Sequence, residues 1–156
     1  MLSADLAAGA ASDPAPALVL QRIDGSGTAS LSRYCGRVVV LELWTSDCRA
    51  CAPSLAALDG LGRALPRDEF AALAVNVDDD VASARAFLAA RSFDVPMFWG
   101  GGPAVEALSI RGVPTAVVID RSGTIRARIE GFTAENSALL RSRVESLLAE
   151  RRPAQC

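Results

Sequence analysis

The apolar run Val38-Val39-Val40-Leu41-Glu42-Leu43-Trp44, closely followed by Cys48-Arg49-Ala50-Cys51, constrains this fold more than any other feature. A short, almost unbroken apolar run suits a strand covered on both faces. Beyond the cysteines, Leu55, Leu58, Leu61 and Leu65 recur at helical spacing, so Pro53 to Leu65 reads as a helix. Pro53 fits the first turn of that helix, or kinks one that begins at Cys48. The segment is therefore strand, thiol pair, helix. Two thiols at this spacing can close a small disulfide ring and reopen it. A helix N-terminus also stabilises the thiolate, the species that attacks disulfides.

The rest of the chain supplies a layered α/β pattern. Ala17 to Ile23 reads as a first strand, with a turn at Asp24-Gly25-Ser26-Gly27. Phe70 to Val77 reads as a second buried strand. The acids Asp78-Asp79-Asp80 favour the start of a helix over about residues 80–91. A short strand is expected within Phe93–Trp99, then a brief helix over Ala104–Leu108. Thr115–Ile119 is another apolar strand, and Asp120-Arg121-Ser122-Gly123 is a hairpin turn. The strand after it alternates, with Ile125, Ala127 and Ile129 expected on one face and Arg126, Arg128 and Glu130 on the other. Leu140, Val144, Leu147 and Leu148 give the last helix an apolar stripe. The expected organisation is a flexible lead at 1–12, one domain at 13–152 and a flexible tail at 153–156. The domain is an α/β sandwich with a central mixed sheet flanked by helices, to which the final hairpin adds an antiparallel edge.

Composition prunes the chemistry. The chain has no histidine, and all 16 of its basic residues are arginine. Ser-His and Cys-His nucleophile pairs are excluded within the chain, as are histidine-bearing metal sites, Schiff-base lysines and the P-loop lysine. A net charge of -2 without a basic block argues against nucleic acid or an anionic membrane surface as partner. Cys35, Cys48, Cys51 and Cys156 do not form the two close pairs of a structural zinc site. One redox pair plus two incidental cysteines is the simpler reading. Cys35 and Cys156 are free to pair with each other, or Cys156 to link two chains. No span approaches the ~20 apolar residues of a membrane helix. Residues 1–12 lack the basic start and long apolar centre of an export signal, so the expectation is a trimmed or mature form without its signal or anchor.

Trp44-Thr45-Ser46-Asp47-Cys48-Arg49-Ala50-Cys51 resembles the active-site segment of thioredoxin-fold proteins, and Gly112-Val113-Pro114-Thr115 resembles that fold's cis-proline loop. Within that fold the chain more closely resembles the TlpA/ResA-type bacterial thiol-disulfide oxidoreductases. An Asp-Gly turn and Leu31-Ser32 before the central strand, and Val75-Asn76-Val77-Asp78 at the second, carry that resemblance. The long stretch between Cys51 and Pro114 leaves room for the extra strand and helix of these proteins. The resemblance implies an enzyme that reduces or isomerises disulfides of exported, cysteine-containing proteins. It works with no cofactor beyond its own thiol pair and is recharged by an upstream membrane thiol donor. It also implies an extracytoplasmic, periplasmic setting, with contact to the membrane only through an N-terminal anchor, and apocytochrome c or copper-site cysteines as targets.

The same resemblance implies roles residue by residue. Cys48 is the attacking thiol and Cys51 the resolving one. Glu42 is the buried carboxylate that moves a proton to or from Cys51; its alternative is a solvent-facing or arginine-paired acid. Pro114 is expected to be cis and to face the thiols, so that Val113 offers its N–H and C=O to substrate. Trp44 is expected at the substrate surface or packed under it. Asp47 stands where many relatives have tryptophan; it either tunes Cys48 or caps the helix. Asp79 is a weaker candidate for a second acid. Two other functions fit the same fold. A thiol peroxidase fits Thr45-x-x-Cys48, although the proline its signature wants upstream is Leu41 here. A non-enzymatic Cu(I) or protein-binding module fits two thiolates.

Overall fold

The computed structural model describes residues 13–154. The expected lead at 1–12 and the end of the tail, with Cys156, lie outside the described residues. Within them the order is β1 (Asp13–Pro14), β2 (Val19–Arg22), β3 (Thr28–Ser30), a 3-10 turn (Leu31–Tyr34), β4 (Val38–Trp44), α1 (Cys51–Ala64), β5 (Phe70–Asn76), α2 (Val81–Ala89), β6 (Met97–Trp99), α3 (Gly101–Ala107), β7 (Thr115–Ile119), β8 (Thr124–Glu130) and α4 (Ala134–Leu148). The strands form one sheet in the order β1-β8-β7-β4-β5-β6-β2-β3.

The apolar runs sit at its centre because only there are both faces covered. All seven residues of β4 and all seven of β5 are buried. β4, β5 and β6 are parallel neighbours, joined through α1 and α2. Right-handed crossovers taken in one direction put both helices on one face. The core confirms it: Leu55, Leu58 and Leu61 of α1 and Ala84 of α2 share a cluster with Val38, Val40 and Trp44. Val144 and Leu147 of α4 complete that layer. The opposite face holds Val39, Leu41 and Leu43 under Ala104 of α3, Leu108 and the 3-10 turn. α3 can begin at the end of β6 because Gly100 has no side chain there. A Cβ at that position would lie 2.6 Å from that of Ala104 and 2.9 Å from Cγ1 of Val75.

Three expectations change. Ile125, Ala127 and Ile129 do not share one face. A β-bulge pairs Ile119 with Ile125 but Val118 with Ala127, leaving Arg126 as the extra residue. Ile125 therefore packs on the α3 side, while Ala127 and Ile129 pack on the α1 side. The hairpin strand is also not the sheet edge, since β1 pairs with its outer side. Finally, Cys35 is not a spare thiol: it is disulfide-bonded.

Candidate active site

Strand register brings three loops to one end of the sheet. Leu43 is opposite Thr115 in the antiparallel β4–β7 pair, and Trp44 is beside Asn76 in the parallel β4–β5 pair. The segments that leave β4 and β5 and the one that enters β7 therefore emerge together. They carry Thr45–Ala50, Val77–Asp80 and Arg111–Pro114.

Cys48 and Cys51 are joined by a disulfide, with Cα atoms 5.3 Å apart. Their environments differ. Cys51 is wholly buried as the first residue of α1, whereas Cys48 is only half-buried in the loop before it. The N–H of Cys51 donates to the carbonyl of Cys48 at 3.2 Å, which sets the tight turn between them. The first turn of α1 holds no acidic residue to oppose its positive end. Pro53 lies inside that first turn, where its missing N–H costs nothing.

Asp47 does not cap the helix. Ala50 occupies the cap position without a side-chain bond, and the Asp47 carboxylate instead accepts from the Thr45 hydroxyl at 2.7 Å. Both Asp47 and Arg49, which flank the half-buried Cys48 in the chain, are exposed.

Of the three aspartates after β5, Asp79 is exposed to solvent, and the other two have distinct partners. Asp80 caps α2 by accepting from the N–H of Ala82 at 2.9 Å. Asp78 turns to the cysteine loop. Its two oxygens accept the Ser46 N–H at 3.2 and 3.1 Å, and Nδ2 of Asn76 donates to it at 2.8 Å. Nε1 of Trp99 donates to the Asp78 carbonyl at 3.0 Å, which ties the inserted strand β6 to the same loop. The signal in the sequence for Asp78 is its place in Val75-Asn76-Val77-Asp78, which does not distinguish it from Asp79 as the acid that turns to the cysteine loop.

Glu42 alternates onto the α1 face of β4 and is 4 % exposed, so the solvent-facing alternative is gone. Among the described residues, no arginine forms a salt bridge with it. Its Oε1 accepts from the hydroxyl of Ser54, one helical turn beyond Cys51. Burial pushes the Glu42 carboxyl up to about 7, partly opposed by the Ser54 hydroxyl. No feature of the sequence marked Ser54.

The Val113–Pro114 peptide bond is cis. Pro114 is buried and borders the same crevice as Glu42 and Ser54. Val113 is half-buried, and among the described residues no loop or turn hydrogen bond engages its N–H or C=O. Of the two positions expected for Trp44, the structure takes the one beneath the site. Its ring is wholly buried against Phe87, with centroids 4.9 Å apart, so it supports the site from beneath and does not reach the surface.

Residues 11–128 match the model of the AhpC/TSA family. Among solved structures, the chain is similar to a "putative Thiol:disulfide interchange protein DsbE" from Chlorobium tepidum. That likeness has 27% identity and a TM-score of 0.82 and covers 88% of this chain and 97% of that one. A thioredoxin-like superfamily protein matches at 26% identity with a TM-score of 0.78, over 90% of this chain and 99% of that one. The exposed lipoprotein thioredoxin Etrx1 of Streptococcus pneumoniae shares the fold at 24% identity and a TM-score of 0.74, over 85% and 100% of the two chains. No curated protein matches the chain in sequence.

Proposed function

The chain belongs to the AhpC/TSA family, and we propose that within it the protein works as a thiol-disulfide oxidoreductase of thioredoxin type on cysteine-containing proteins. One observation carries this reading: a Cys48–Cys51 disulfide at the start of α1 in which Cys48 is half-buried and Cys51 wholly buried. That asymmetry assigns the steps. In the reduced enzyme the Cys48 thiolate attacks a sulfur of a substrate disulfide. An S–S bond forms to Cys48, and the other substrate sulfur leaves as a thiolate. Cys51 then loses its proton and attacks Cys48 Sγ. This closes the Cys48–Cys51 disulfide and releases the second substrate thiolate. Two electrons have passed from enzyme to substrate, and an upstream thiol donor must return them.

Glu42 is the group to take the Cys51 proton. It lies on the face that α1 covers, and its carboxyl titrates near neutral pH, where a base and its conjugate acid are both available. Val113, whose backbone groups make no loop or turn hydrogen bond among the described residues, is the edge along which an extended substrate chain lies. Asp78 holds the loop that carries Cys48. The thiol peroxidase reading fits less well, because a resolving thiol within the same turn, as Cys51 is to Cys48, is unusual for that class.

The family resemblance supports an extracytoplasmic setting, a membrane thiol donor and apocytochrome c cysteines among the substrates. Among the described residues, no helix is long and apolar enough to cross a membrane. The test is insulin or apocytochrome c disulfide reduction by the reduced protein. Turnover that disappears in Cys48→Ser supports the reading; equal rates in both forms contradict it.

A further inference from the structure

Ser54 and Glu42 meet inside the protein, at 7 % and 4 % exposure. The Ser54 hydroxyl donates to Oε1 of Glu42, whereas Oε2 is buried and no group among the described residues hydrogen-bonds it. Leaving a buried carboxyl oxygen unpaired is costly, so something must serve it. The neighbours of Glu42 in the sheet, Ala74 and Ala116, offer no polar side chain. The crevice between α1 and α4 does. It measures about 50 Å³ and is lined by Glu42 and Ser54 on one side and by Asn136, Ser137 and Arg141 of α4 on the other. A water needs ~10–15 Å³ of such space and a few polar partners. Arg141 is the charged group on this crevice, and its guanidinium already lies 3.8 Å from Glu145.

We infer that Ser54 is a positioning residue for the Glu42 carboxyl: its hydroxyl holds Oε1 and leaves Oε2 to carry the proton, which exchanges with solvent through the crevice between α1 and α4. The inference rests on the relay role given to Glu42 above. In the working cycle Cys51 loses a proton, Oε2 gains it, and the carboxyl passes it to water in the crevice. The electrons remain with the sulfurs. The hydroxyl bond favours the charged carboxylate, so it keeps Glu42 able to release that proton near neutral pH.

The experiment follows the Glu42 carboxyl by infrared difference spectroscopy over about pH 4 to 10, with Glu42→Gln identifying its band. It follows the disulfide-exchange rate over the same range. Ser54→Ala is expected to raise the Glu42 midpoint by about one pH unit. The Glu42-dependent limb of the rate profile moves with it. Ser54→Thr, which keeps a hydroxyl, restores both, and Ser54→Ala in a Glu42→Gln background leaves the rate profile unmoved. An unmoved midpoint in Ser54→Ala, with Glu42→Gln still altering the rate profile, overturns the role of Ser54 alone. A Glu42→Gln rate profile that superimposes on wild type overturns the relay itself, and the infrared midpoint then reports Ser54 separately.

Discussion

Asp78 accepts the backbone N–H of Ser46 with both carboxylate oxygens, across a separation of 32 residues in sequence. The loop that presents Cys48 is thereby fastened to the end of β5. Asn76, wholly buried and paired beside Trp44, orients the carboxylate from behind. Asp78→Ala removes the acceptor for both groups, at an expected cost of about 1–3 kcal/mol. The sharper readout is hydrogen exchange at Ser46, whose amide should exchange faster in Asp78→Ala than in wild type. Equal protection of that amide would contradict the fastening.

Glu42 makes stability pH-dependent in a definite direction. Its carboxyl sits near 4.5 in an ordinary environment and is pushed up to about 7 by burial here. Below pH 4.5 the folded and unfolded chains both hold the proton, and Glu42 costs nothing on this account. As pH rises from 4.5 to 7 the unfolded chain releases its proton first, so stability falls. Above 7 the loss is complete, at about 3 kcal/mol. Glu42→Gln cannot titrate. It should match wild type near pH 4 and exceed it in urea midpoint near pH 8. Parallel stability curves for the two proteins would sink the assignment.

The two sulfurs should behave differently when each is left alone. Cys51→Ser leaves the reachable Cys48 and should accumulate a mixed disulfide with a model disulfide such as glutathione. Cys48→Ser leaves a wholly buried Cys51 and should react slowest, by at least an order of magnitude on accessibility grounds. Mass spectrometry after timed quenching reads both. Faster trapping at Cys51 would reverse the assigned order of attack.

Asp47 and Asp80 offer a matched comparison. Asp80 accepts the N–H of Ala82 as the cap of α2, and Asp80→Ala should cost about 1 kcal/mol. Asp47 is exposed and, among the described residues, bonds only the Thr45 hydroxyl, so Asp47→Ala should stay within about 0.5 kcal/mol of wild type. Thermal denaturation of the two variants distinguishes them. A loss in Asp47→Ala as large as that in Asp80→Ala would contradict the start of α1 at Cys51.

What the sequence made legible was local. Apolar runs announced β4, β5 and β7, and leucines at helical spacing announced α1, because burial imposes those periods on the chain itself. The thiols and Glu42 were legible for the same reason: a lone acid in an apolar strand and a Cys pair before a helix are visible without partners. Illegible features depended on distant pairing. β1 and β3 are two or three residues long and exist only through β8 and β2. The bulge at Arg126, which sends Ile125 to the other face, is set by register against β7 and not by alternation within β8. Asp78 and Ser54 acquire meaning only from Ser46 and Glu42. Asp47 was open to a capping role only while the helix could begin at Cys48; its start at Cys51 closes that option.

The central claim is that Cys48 and Cys51 exchange reversibly as a pair. The direct test equilibrates the protein in glutathione buffers of graded potential, quenches with acid and an alkylating agent, and digests with trypsin. Cleavage after Arg49 separates the two cysteines, so a linked peptide pair reports the disulfide and two alkylated peptides report the dithiol. The account predicts one reversible two-electron transition for these peptides, abolished in Cys48→Ser. A midpoint near or below about -250 mV marks a reductase, and one near about -120 mV an oxidant. Failure of the pair to form or reopen at any potential would contradict the account and return the peroxidase and metal-binding readings to the front.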